Sequence, residues 1–375
     1  MGTANAKGKS FLNDESFMKR ALRLARKGEG WVSPNPMVGS VIVRNNRIIG
    51  EGHHRKFGQA HAEINALESV TESAEGSTIY VTLEPCSHYG KTPPCVDRLI
   101  ACRPQRVVIG TADPNPLVAG KGIEALQRSG VPVSVGVLEE ACRQINEAFF
   151  KFIQSRTPFV TLKYAQTLDG RIATATGHSR WISSLPSRRF AHRLRHAHDA
   201  IMVGIGTVLS DDPELTVRLV RGKNPLRIVL DSRLRIPLTS HILQDQGTAG
   251  TLLVATDRAD GEKLARLRDL GIDVLILPAD PSGRIVLPSL FRELGTRNIA
   301  SVLVEGGSGV LTALLAEDLA DRLVAIVAPK IAGKGIEAVG DLNITDMKSA
   351  IGLIFRRTYR KGDDLIIDAR LRGPA

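Results

Sequence analysis

The sequence predicts an α/β protein with two domains, and three observations support this. The 375 residues exceed one typical domain, because domains run to roughly 100–200 residues. In both halves, short apolar runs typical of strands alternate with segments of helical periodicity, as in layered α/β sheets. A predicted helix ends near Ser155, and Thr157-Pro158 opens a β-rich segment. We therefore expect domains over residues 12–156 and 157–372.

The first domain begins with an amphipathic helix over Asp14–Lys27, which Gly28 ends. Two strands follow as a hairpin, because Asn45-Asn46 separates Met37–Val43 from Arg47–Gly50. The rest alternates, with helices at His61–Ser69, Val96–Ala101, Gly122–Ser129 and Leu138–Ile153 and strands at Ser77–Leu83, Arg106–Gly110 and Pro132–Val135.

The second domain is expected to contain strands with helices between several of them. The strands are predicted near Phe159–Tyr164, Ala200–Gly204, Leu226–Leu230, Thr251–Ala255, Val274–Leu277, Ser301–Val304, Arg322–Ala328 and Gly352–Phe355.

The composition limits the classes of function. The net charge of +11, more than half of it in the second half of the chain, favours phosphorylated or otherwise anionic ligands. Four cysteines are too few for a disulfide scaffold, so they are expected to be free or metal-bound. Met1–Ser10 lacks the apolar core of a signal peptide, and no apolar stretch reaches the ~18–20 residues of a membrane span. These features predict a cytoplasmic protein.

The strongest motif is His61-Ala62-Glu63 followed by Pro85-Cys86 and Cys95. A catalytic zinc ion needs three protein ligands and an open position, which one imidazole and two thiolates supply. Glu63 can stand beside the metal and move protons between water, the base and the leaving ammonia. The pattern H-x-E…P-C-x-x-C is typical of zinc nucleobase deaminases. Here eight residues instead of two separate the cysteines, so a loop must bring the thiolates together.

Two features near this motif each admit two interpretations. Asn35 lies between two prolines, and its amide can bind a pyrimidine edge because it both donates and accepts hydrogen bonds. A simple turn explains that segment equally well. His53-His54 could be ligands or substrate contacts, although an ordinary surface pair is the commoner occurrence.

The second half carries glycine-rich segments at predicted strand-to-helix junctions, Gly204–Thr207 and Val304–Gly309. Such junctions let backbone N–H groups approach a phosphate at a helix N-terminus. Neither segment is GxGxxG, so a Rossmann fold is not indicated. Five arginines crowd the segment from Arg180 to Arg195; they form either a solvated basic face or a phosphate clamp.

In order along the chain, these segments resemble the bacterial bifunctional deaminase–reductase family of riboflavin biosynthesis. The resemblance extends from about Phe17 to Arg370, and the long Cys–Cys loop is normal in that family. It rests on Pro34–Pro36, Val38-Gly39, Gly52–His54, His61–Glu63, Thr82–Cys95, Lys163, Leu168–Ala173, Ser179–Ile182, Gly206–Leu209, Asp211–Pro213, Leu215–Arg218 and Val304–Gly307.

For the first half, the resemblance implies a cytidine-deaminase-like three-layer domain. Its expected reaction is the hydrolytic deamination of 2,5-diamino-6-(5-phosphoribosylamino)pyrimidin-4-one. His61, Cys86 and Cys95 would hold Zn²⁺, Glu63 would be the catalytic proton carrier, and the substrate contacts would be Asn35, His54 and Lys91.

For the second half, the resemblance implies a dihydrofolate-reductase-like domain. It would use NADPH to reduce the ribosyl group of 5-amino-6-(5-phosphoribosylamino)uracil to ribityl. The expected substrate contacts are Ser179, Arg195, Leu215, Arg218 and Glu305. The expected cofactor contacts are Ala165, Trp181, Thr207, Asp211, Ser232, Gly307, Ser308, Gly309, Val310, Leu311, Thr312 and Ala313.

The reductase also needs a group that moves a proton as the sugar ring opens. Glu305, Asp211 and Lys163 are the candidates. The family further implies small phosphorylated pyrimidine substrates, no nucleic-acid or membrane partner, and a homo-oligomer, either a dimer or a tetramer.

Two other functions are compatible with parts of the sequence. A nucleic-acid editing deaminase shares the His-Ala-Glu and Pro-Cys segments, but it predicts a short Cys-x-x-Cys and a strongly basic first half. A zinc module without catalysis has no need of a carboxylate beside an open coordination position. Glu63 therefore argues against that module.

Overall fold

The computed structural model describes residues 5–88, 93–116 and 118–372, and for residues 5–13 it describes the backbone alone. The chain divides into two compact units between Arg156 and Thr157. Within the described ranges, no helix is both long and apolar enough to cross a membrane.

The first unit alternates strands and helices as the sequence predicts. In chain order the elements are α1 (Asn5–Ala25), β1 (Gly39–Arg44), β2 (Arg47–His53), α2 (Ala62–Glu68), β3 (Thr78–Val81), α3 (Cys95–Ala101), β4 (Arg106–Ile109), α4 (Lys121–Arg128), β5 (Val133–Val135), α5 (Glu139–Ile145) and α6 (Glu147–Ser155).

These strands form one sheet with the order β2-β1-β3-β4-β5. Strand β1 is antiparallel to both β2 and β3, whereas β3, β4 and β5 run parallel. The predicted hairpin is present, and its two turn residues have positive φ, 49° for Asn45 and 60° for Asn46. Asparagine tolerates this conformation better than most residues.

Helices cover both faces of this sheet and produce three layers. Ile79 and Tyr80 are neighbours along β3 and therefore point to opposite faces. Ile79 packs in a core with Leu99 of α3, and Tyr80 packs in a second core with Met18 of α1 and Cys142 of α5.

The helix predicted over Leu138–Ile153 is divided into α5 and α6 at Asn146. The side chain of Asn146 accepts the backbone N–H of Met37 at 2.7 Å and donates to the Met37 carbonyl at 2.9 Å. Asparagine competes for backbone hydrogen bonds in this way, which favours a helix break. Asn146 therefore holds the chain at Met37, just after the Asn35 turn. Helical periodicity in the sequence could not show that Asn146 would bond to this distant residue.

The second unit contains β6 (Phe159–Thr167), β7 (Arg171–Thr174), α7 (Leu185–Ala197), β8 (Ala200–Gly204), α8 (Ile205–Asp211), β9 (Leu226–Leu230), α9 (His241–Gln244), β10 (Thr251–Thr256), α10 (Gly261–Asp269), β11 (Asp273–Leu277), α11 (Leu287–Thr296), β12 (Ser301–Val304), α12 (Ser308–Ala316), β13 (Arg322–Ala328), β14 (Gly335–Glu337), β15 (Leu353–Lys361) and β16 (Asp364–Leu371).

The main sheet of this unit has nine strands in the order β11-β10-β9-β8-β12-β6-β13-β16-β15. The strands from β11 to β13 in this order are parallel, and β16 and β15 are antiparallel to their neighbours. Strands β7 and β14 form a separate antiparallel pair. Parallel strands align their carboxyl ends at one edge, where open α/β sheets bind ligands.

The sequence did not predict β7, β14 and β16, and β15 is longer than the expected Gly352–Phe355. Strand β15 is an edge strand that is largely exposed, and it ends in the basic run Arg356–Lys361. A strand that is mostly exposed to water has few apolar residues that must face a core. Its sequence therefore lacks the alternating apolar pattern from which strands are predicted.

Candidate active sites

Three metal-ligating side chains meet at the carboxyl end of β3. His61 precedes α2, Cys86 follows β3, Cys95 begins α3, and their ligand atoms lie within 4.8 Å of one another. His61 Nδ1 is 3.5 Å from Cys86 Sγ and 3.3 Å from Cys95 Sγ. A tetrahedral zinc site, with Zn–N about 2.0–2.1 Å and Zn–S about 2.3 Å, places such atoms about 3.5 Å apart. The three residues therefore fit a zinc ion.

The surroundings of Cys86 favour its thiolate. The backbone N–H of Cys95 donates to Cys86 Sγ at 3.3 Å. Hydrogen bonds from the Cys95 side chain and from His61 lower the pKa of Cys86 to about 4, although burial opposes this. The thiolate is the form that binds zinc, so these contacts favour Cys86 as a metal ligand.

Glu63 lies beside this cluster on the first turn of α2, and only 4% of the residue is exposed. Burial, and next the negative charge of Cys86, raise the pKa of Glu63 to about 7. A carboxyl group with such a pKa can both accept and release a proton near neutral pH. A buried carboxyl group therefore lies next to the metal-ligating set.

A cavity of about 310 Å³ opens beside the cluster. Its wall includes Asn35 and His54, two of the predicted substrate contacts. His54 Nδ1 donates to the Ala60 carbonyl at 3.1 Å, because a carbonyl can only accept. His54 Nε2 therefore accepts from Asn35 Nδ2 at 3.2 Å. The third expected contact, Lys91, lies outside the described residues.

The sequence analysis did not single out Asp113 and Asn115, which line the same cavity. Burial raises the pKa of Asp113 to about 6, and its Oδ1 accepts the N–H of Asn115 at 2.8 Å. Both residues follow β4, the parallel neighbour of β3. The segment Pro114-Asn115-Pro116 repeats the Pro-Asn-Pro of Asn35, which is the sequence signal that could have revealed it.

Glu84 fixes the position of these two strand ends. Its buried carboxylate accepts backbone N–H groups from Asp113, Gly120, Gly122 and Ile123 at 3.0–3.3 Å. Four donors from two segments hold one side chain. Because Glu84 immediately precedes Pro85-Cys86, this network positions the metal-ligating loop against the start of α4.

The second unit has a larger cavity, about 1140 Å³. It lies at the carboxyl ends of the parallel strands: Lys163 belongs to β6, Gly204 ends β8, and Glu305 follows β12. This is the edge at which the parallel arrangement predicts a ligand site.

A buried ion-pair cluster lies in this cavity wall. Arg195 holds Glu305 with two hydrogen bonds, Nε–Oε1 at 2.8 Å and Nη2–Oε2 at 3.0 Å. Lys163 Nζ lies 3.6 Å from Glu305 Oε2. Burial alone raises the pKa of Glu305, but the charges of Arg195 and Lys163 outweigh it and hold that pKa well below its usual range.

These contacts bear on the roles expected for Glu305 and Arg195. The two cations favour the ionised form of Glu305, and its role as a proton donor stays a prediction. Arg195, which also donates to the Thr216 carbonyl at 3.0 Å, is already paired with a carboxylate. Its guanidinium is therefore not the free phosphate clamp that the sequence suggested.

The expected cofactor contacts converge on this cavity with one exception. Those that line it are Ala165, Trp181, Thr207, Asp211, Ser232, Gly307, Ser308, Gly309, Val310, Leu311 and Ala313. Thr312 does not line it, since its hydroxyl donates to the Ser308 carbonyl at 2.8 Å and accepts the N–H of Gly340 at 2.7 Å. That side chain instead ties α12 to the segment after β14.

The glycine segment before α12 leaves space for a ligand backbone or phosphate. Gly306 has φ of 121°, a conformation that only glycine adopts readily. Cβ atoms added at Gly306 or Gly309 would meet nothing within 4 Å. Helix α12 begins directly after Gly307, so its free N–H groups face this space. The segment therefore fits the phosphates of a dinucleotide.

Most, but not all, of the expected substrate contacts line this cavity. Ser179, Arg195, Arg218 and Glu305 line the cavity. The side chain of Leu215 does not, because it is buried in a hydrophobic core with Ile201 and Val229. Arg218 is half exposed and contacts Glu214 at 3.3 Å.

The polar residues that line the cavity without having been predicted as individual contacts include Arg188 and His192. Arg188 stacks its guanidinium 4.1 Å from the ring centre of Trp181, and its buried Nε has no hydrogen-bond partner among the described residues. Arg188 and His192 both lie on α7. This helix contains several arginines and histidines, so the sequence did not show which of them face the cavity.

The fold and the metal-ligating cluster define a class of protein in which a zinc-binding deaminase domain precedes a second α/β domain. Residues 12–111 match the cytidine and deoxycytidylate deaminase zinc-binding region, and residues 158–367 match the RibD C-terminal domain. The chain is 44% identical over 355 residues to riboflavin biosynthesis protein RibD of Aquifex aeolicus, covering 94% of this chain and 97% of that protein. It is 41% identical over 370 residues to RibD of Escherichia coli, covering 95% and 99%.

Two solved structures extend this similarity across both units. Acinetobacter baumannii RibD gives a TM-score of 0.85 at 36% identity, covering 97% of this chain and 100% of that one. A Thermotoga maritima protein described as a diaminohydroxyphosphoribosylaminopyrimidine deaminase/5-amino-6-(5-phosphoribosylamino)uracil reductase gives 0.83 at 37% identity with the same coverage. The chain belongs to the RibD family of riboflavin biosynthesis proteins. The expected combination of cytidine-deaminase-like and dihydrofolate-reductase-like folds is confirmed.

Proposed function

We propose that the chain catalyses two consecutive steps of riboflavin biosynthesis, a hydrolytic deamination in residues 12–156 and a reduction in residues 157–372. The deamination converts 2,5-diamino-6-(5-phosphoribosylamino)pyrimidin-4-one to the corresponding uracil. The reduction then converts its ribosyl group to ribityl with NADPH. The observation that carries the proposal is buried Glu63 beside the His61, Cys86 and Cys95 cluster.

The first site supports deamination through its proton carrier. His61, Cys86 and Cys95 would hold a zinc ion, which would supply a Lewis acid that activates water. The Glu63 carboxylate would take one proton from water and deliver it to the ring nitrogen, and would then move the second proton, from the hydroxyl added to the ring, to the amino group that leaves as ammonia. Burial raises the pKa of Glu63 above its usual range, which favours the uptake of each proton.

The cavity beside Glu63 supports a pyrimidine substrate. Because Asn35 Nδ2 is bonded to His54, Asn35 Oδ1 is left to accept an N–H of the pyrimidine edge. Asp113 and Asn115, which follow the neighbouring strand β4, add further polar groups to the cavity wall. We retain Lys91 as a substrate contact from the family resemblance.

The second site supports a reductase that opens the ribose ring. Bound NADPH supplies the hydride for C1′ of the sugar. Lys163 Nζ donates a proton to the ring oxygen as the ring opens, and the Glu305 carboxylate holds that ammonium at 3.6 Å. Ser179 and Arg218 contact the substrate, and Arg188, stacked on Trp181, favours an anionic ligand.

We also propose a cytoplasmic homo-oligomer, a dimer or a tetramer. The cytoplasm is supported by the cysteines, none of which forms a disulfide, because a reducing compartment keeps thiols reduced. Two of them, Cys86 and Cys95, belong to the metal-ligating cluster. The assembly rests on the family resemblance, and light scattering of the full chain measures it directly.

The deaminase is tested by ammonia release from the diamino substrate with wild type and Glu63→Gln. The variant should lose about 10²–10⁴-fold in rate, because general acid–base catalysis contributes this much. Its zinc content and its NADPH oxidation with the deaminated substrate should match wild type. Equal rates of ammonia release in both proteins would sink the proposal.

A further inference from the structure

Helix α7 carries two histidines one turn apart that serve the same neighbouring segment. His192 Nδ1 accepts the backbone N–H of Arg218 at 3.0 Å and lies 3.4 Å from that of Leu219. His196 Nδ1 accepts the backbone N–H of Lys223 at 3.0 Å. Both rings therefore fasten the segment 218–223 to α7.

These contacts fix the tautomer of His192. A nitrogen that accepts an N–H must present its lone pair, so Nδ1 carries no proton. The ring proton then resides on Nε2. Burial, and next the charges of Arg195 and Arg218, lower the pKa of His192 to about 4, in agreement with a neutral ring.

The Nε2–H group belongs to a side chain of the cavity wall. His192 is only 5% exposed and lines the cavity together with Lys163, Arg195, Arg218 and Glu305. Across residues 5–88, 93–116 and 118–372, Nε2–H has no hydrogen-bond partner. The fully buried side-chain atoms that lack a partner in the described residues do not include His192 Nε2. This donor therefore borders the open cavity that His192 lines, where an oxygen of a bound ligand can accept from it.

We propose that His192 is a substrate-binding residue of the reductase site, whose Nε2–H donates to an oxygen of the phosphoribosyl group. The same ring holds Arg218 through Nδ1, so one side chain binds the substrate directly and positions a cationic neighbour. The inference rests on the proposed reductase function. Neither the sequence motifs nor the family resemblance assigned this residue.

His192→Asn tests the donor, because an asparagine Oδ1 lies near the Nδ1 position and preserves the acceptor for Arg218 while Nε2–H is lost. The KM for the deaminated substrate should rise about 10- to 100-fold, the range for a hydrogen bond to a charged or strongly polar group. The Kd for NADPH and the thermal midpoint should stay close to wild type.

His196→Asn is the matched control, since it makes the same replacement one turn away on a residue that does not line the cavity. It should leave KM unchanged. A His192→Asn protein with wild-type KM would overturn the inference, as would a rise in KM of equal size in the control.

A measurement on the wild-type protein tests the same proposal without requiring that the variants fold. In protein labelled with ¹⁵N-histidine, His192 should show an unprotonated Nδ1 and a protonated Nε2, and ribose 5-phosphate should shift the Nε2–H signal. A protonated Nδ1, or no shift, overturns the inference while leaving reductase activity standing. Wild type that oxidises no NADPH with the deaminated substrate overturns the proposed reductase itself.

Discussion

Two buried glutamates show how the environment decides what one residue type does. Among the described residues, no arginine or lysine is paired with Glu63, and burial, followed by the charge of Cys86, raises its pKa to about 7. The Glu305 side chain is 8% exposed, but Arg195 and Lys163 keep its pKa well below the usual range. Glu63 is suited to moving protons, and Glu305 is suited to holding two cations in place.

Glu305→Gln removes the negative charge from a buried ion cluster and should therefore destabilise the protein. Arg195 and Lys163 would then lack a counter-charge, so the free energy of unfolding should fall by about 3–5 kcal/mol. NADPH oxidation should fall with it, because Lys163 loses its orientation. Urea unfolding and steady-state kinetics measure the two effects.

Asp273→Asn provides the matched control for that variant, because Asp273 pairs with Arg297 at 2.6 Å and its side chain is 58% exposed. Exposed pairs contribute about 0–1 kcal/mol, so this change should be small. Full reductase activity in Glu305→Gln would contradict the role assigned to the cluster.

At the scale of elements, both sites are built where parallel strands end. The ends of β3 and β4 carry Cys86 and Asp113, and the end of β12 carries Glu305. The glycines that follow or face these ends allow close packing. Gly122 on α4 is the tightest case near the metal-ligating loop, since an added Cβ would lie 2.2 Å from the Pro85 carbonyl oxygen.

Gly122→Ala should therefore displace the Pro85-Cys86 segment. We expect at least about tenfold weaker zinc affinity, comparable to the loss of a residue that orients a ligand, together with a lower thermal midpoint. Competition with a chromophoric chelator measures the affinity. Gly261→Ala is the control, because a Cβ at that helical position meets nothing within 4 Å; a similar loss there would refute the steric explanation.

His198, which follows α7 and bonds to Thr161 of β6, should make the free energy of unfolding depend on pH. His198 is buried, its Nδ1 donates to the Leu194 carbonyl at 2.7 Å, and its Nε2 bonds Thr161 Oγ1 at 2.9 Å. Burial lowers the pKa of His198 to about 4. The unfolded chain, with a histidine pKa of about 6.5, binds this proton more readily.

The stabilisation is therefore complete above about pH 6.5 and is lost as the pH falls toward 4, by up to about 3 kcal/mol. Urea unfolding at several pH values should show this slope, and His198→Gln should reduce it. His178→Gln, at an exposed position, should keep the wild-type slope. An unchanged slope in His198→Gln would show that other groups cause it.

At the scale of the whole molecule, the proposed deaminase site lies in the first unit and the proposed NADPH-dependent reductase site in the second. A chelator should stop ammonia release from the diamino substrate and leave NADPH oxidation with the deaminated substrate running. The reason is that the three metal-ligating residues all lie in the first unit. Loss of both activities on chelation would contradict two independent sites, and restoration by added zinc is the control.

The hairpin, the alternation of elements and the metal-ligating residues were predictable because each has a local signal. Asn45-Asn46 suits a tight turn, and His61, Glu63, Cys86 and Cys95 carry a chemistry that few other residue types supply. The eight-residue gap between Cys86 and Cys95 departs from the short Cys-x-x-Cys pattern, and it agrees with the family resemblance. The α/β class itself followed from apolar periodicity.

Other features were decided only by contacts between distant parts of the chain. Asn146 breaks a predicted helix because it bonds Met37, 109 residues away. Arg195 is a partner of Glu305, although its sequence neighbourhood suggested a phosphate clamp. Leu215 turns into the core and Thr312 binds Gly340, so neither side chain lines the cavity.

The sequence by itself determined the fold class, the family and the residue types able to bind zinc and move protons, because these follow from local pattern and side-chain chemistry. The tertiary structure decided which charges are paired, which side chains face a cavity, and which nitrogen of His192 carries its proton. Those properties depend on burial and on neighbours that the fold brings from distant parts of the chain. Such long-range geometry sets pKa values and free hydrogen-bonding groups, and therefore what each site can do.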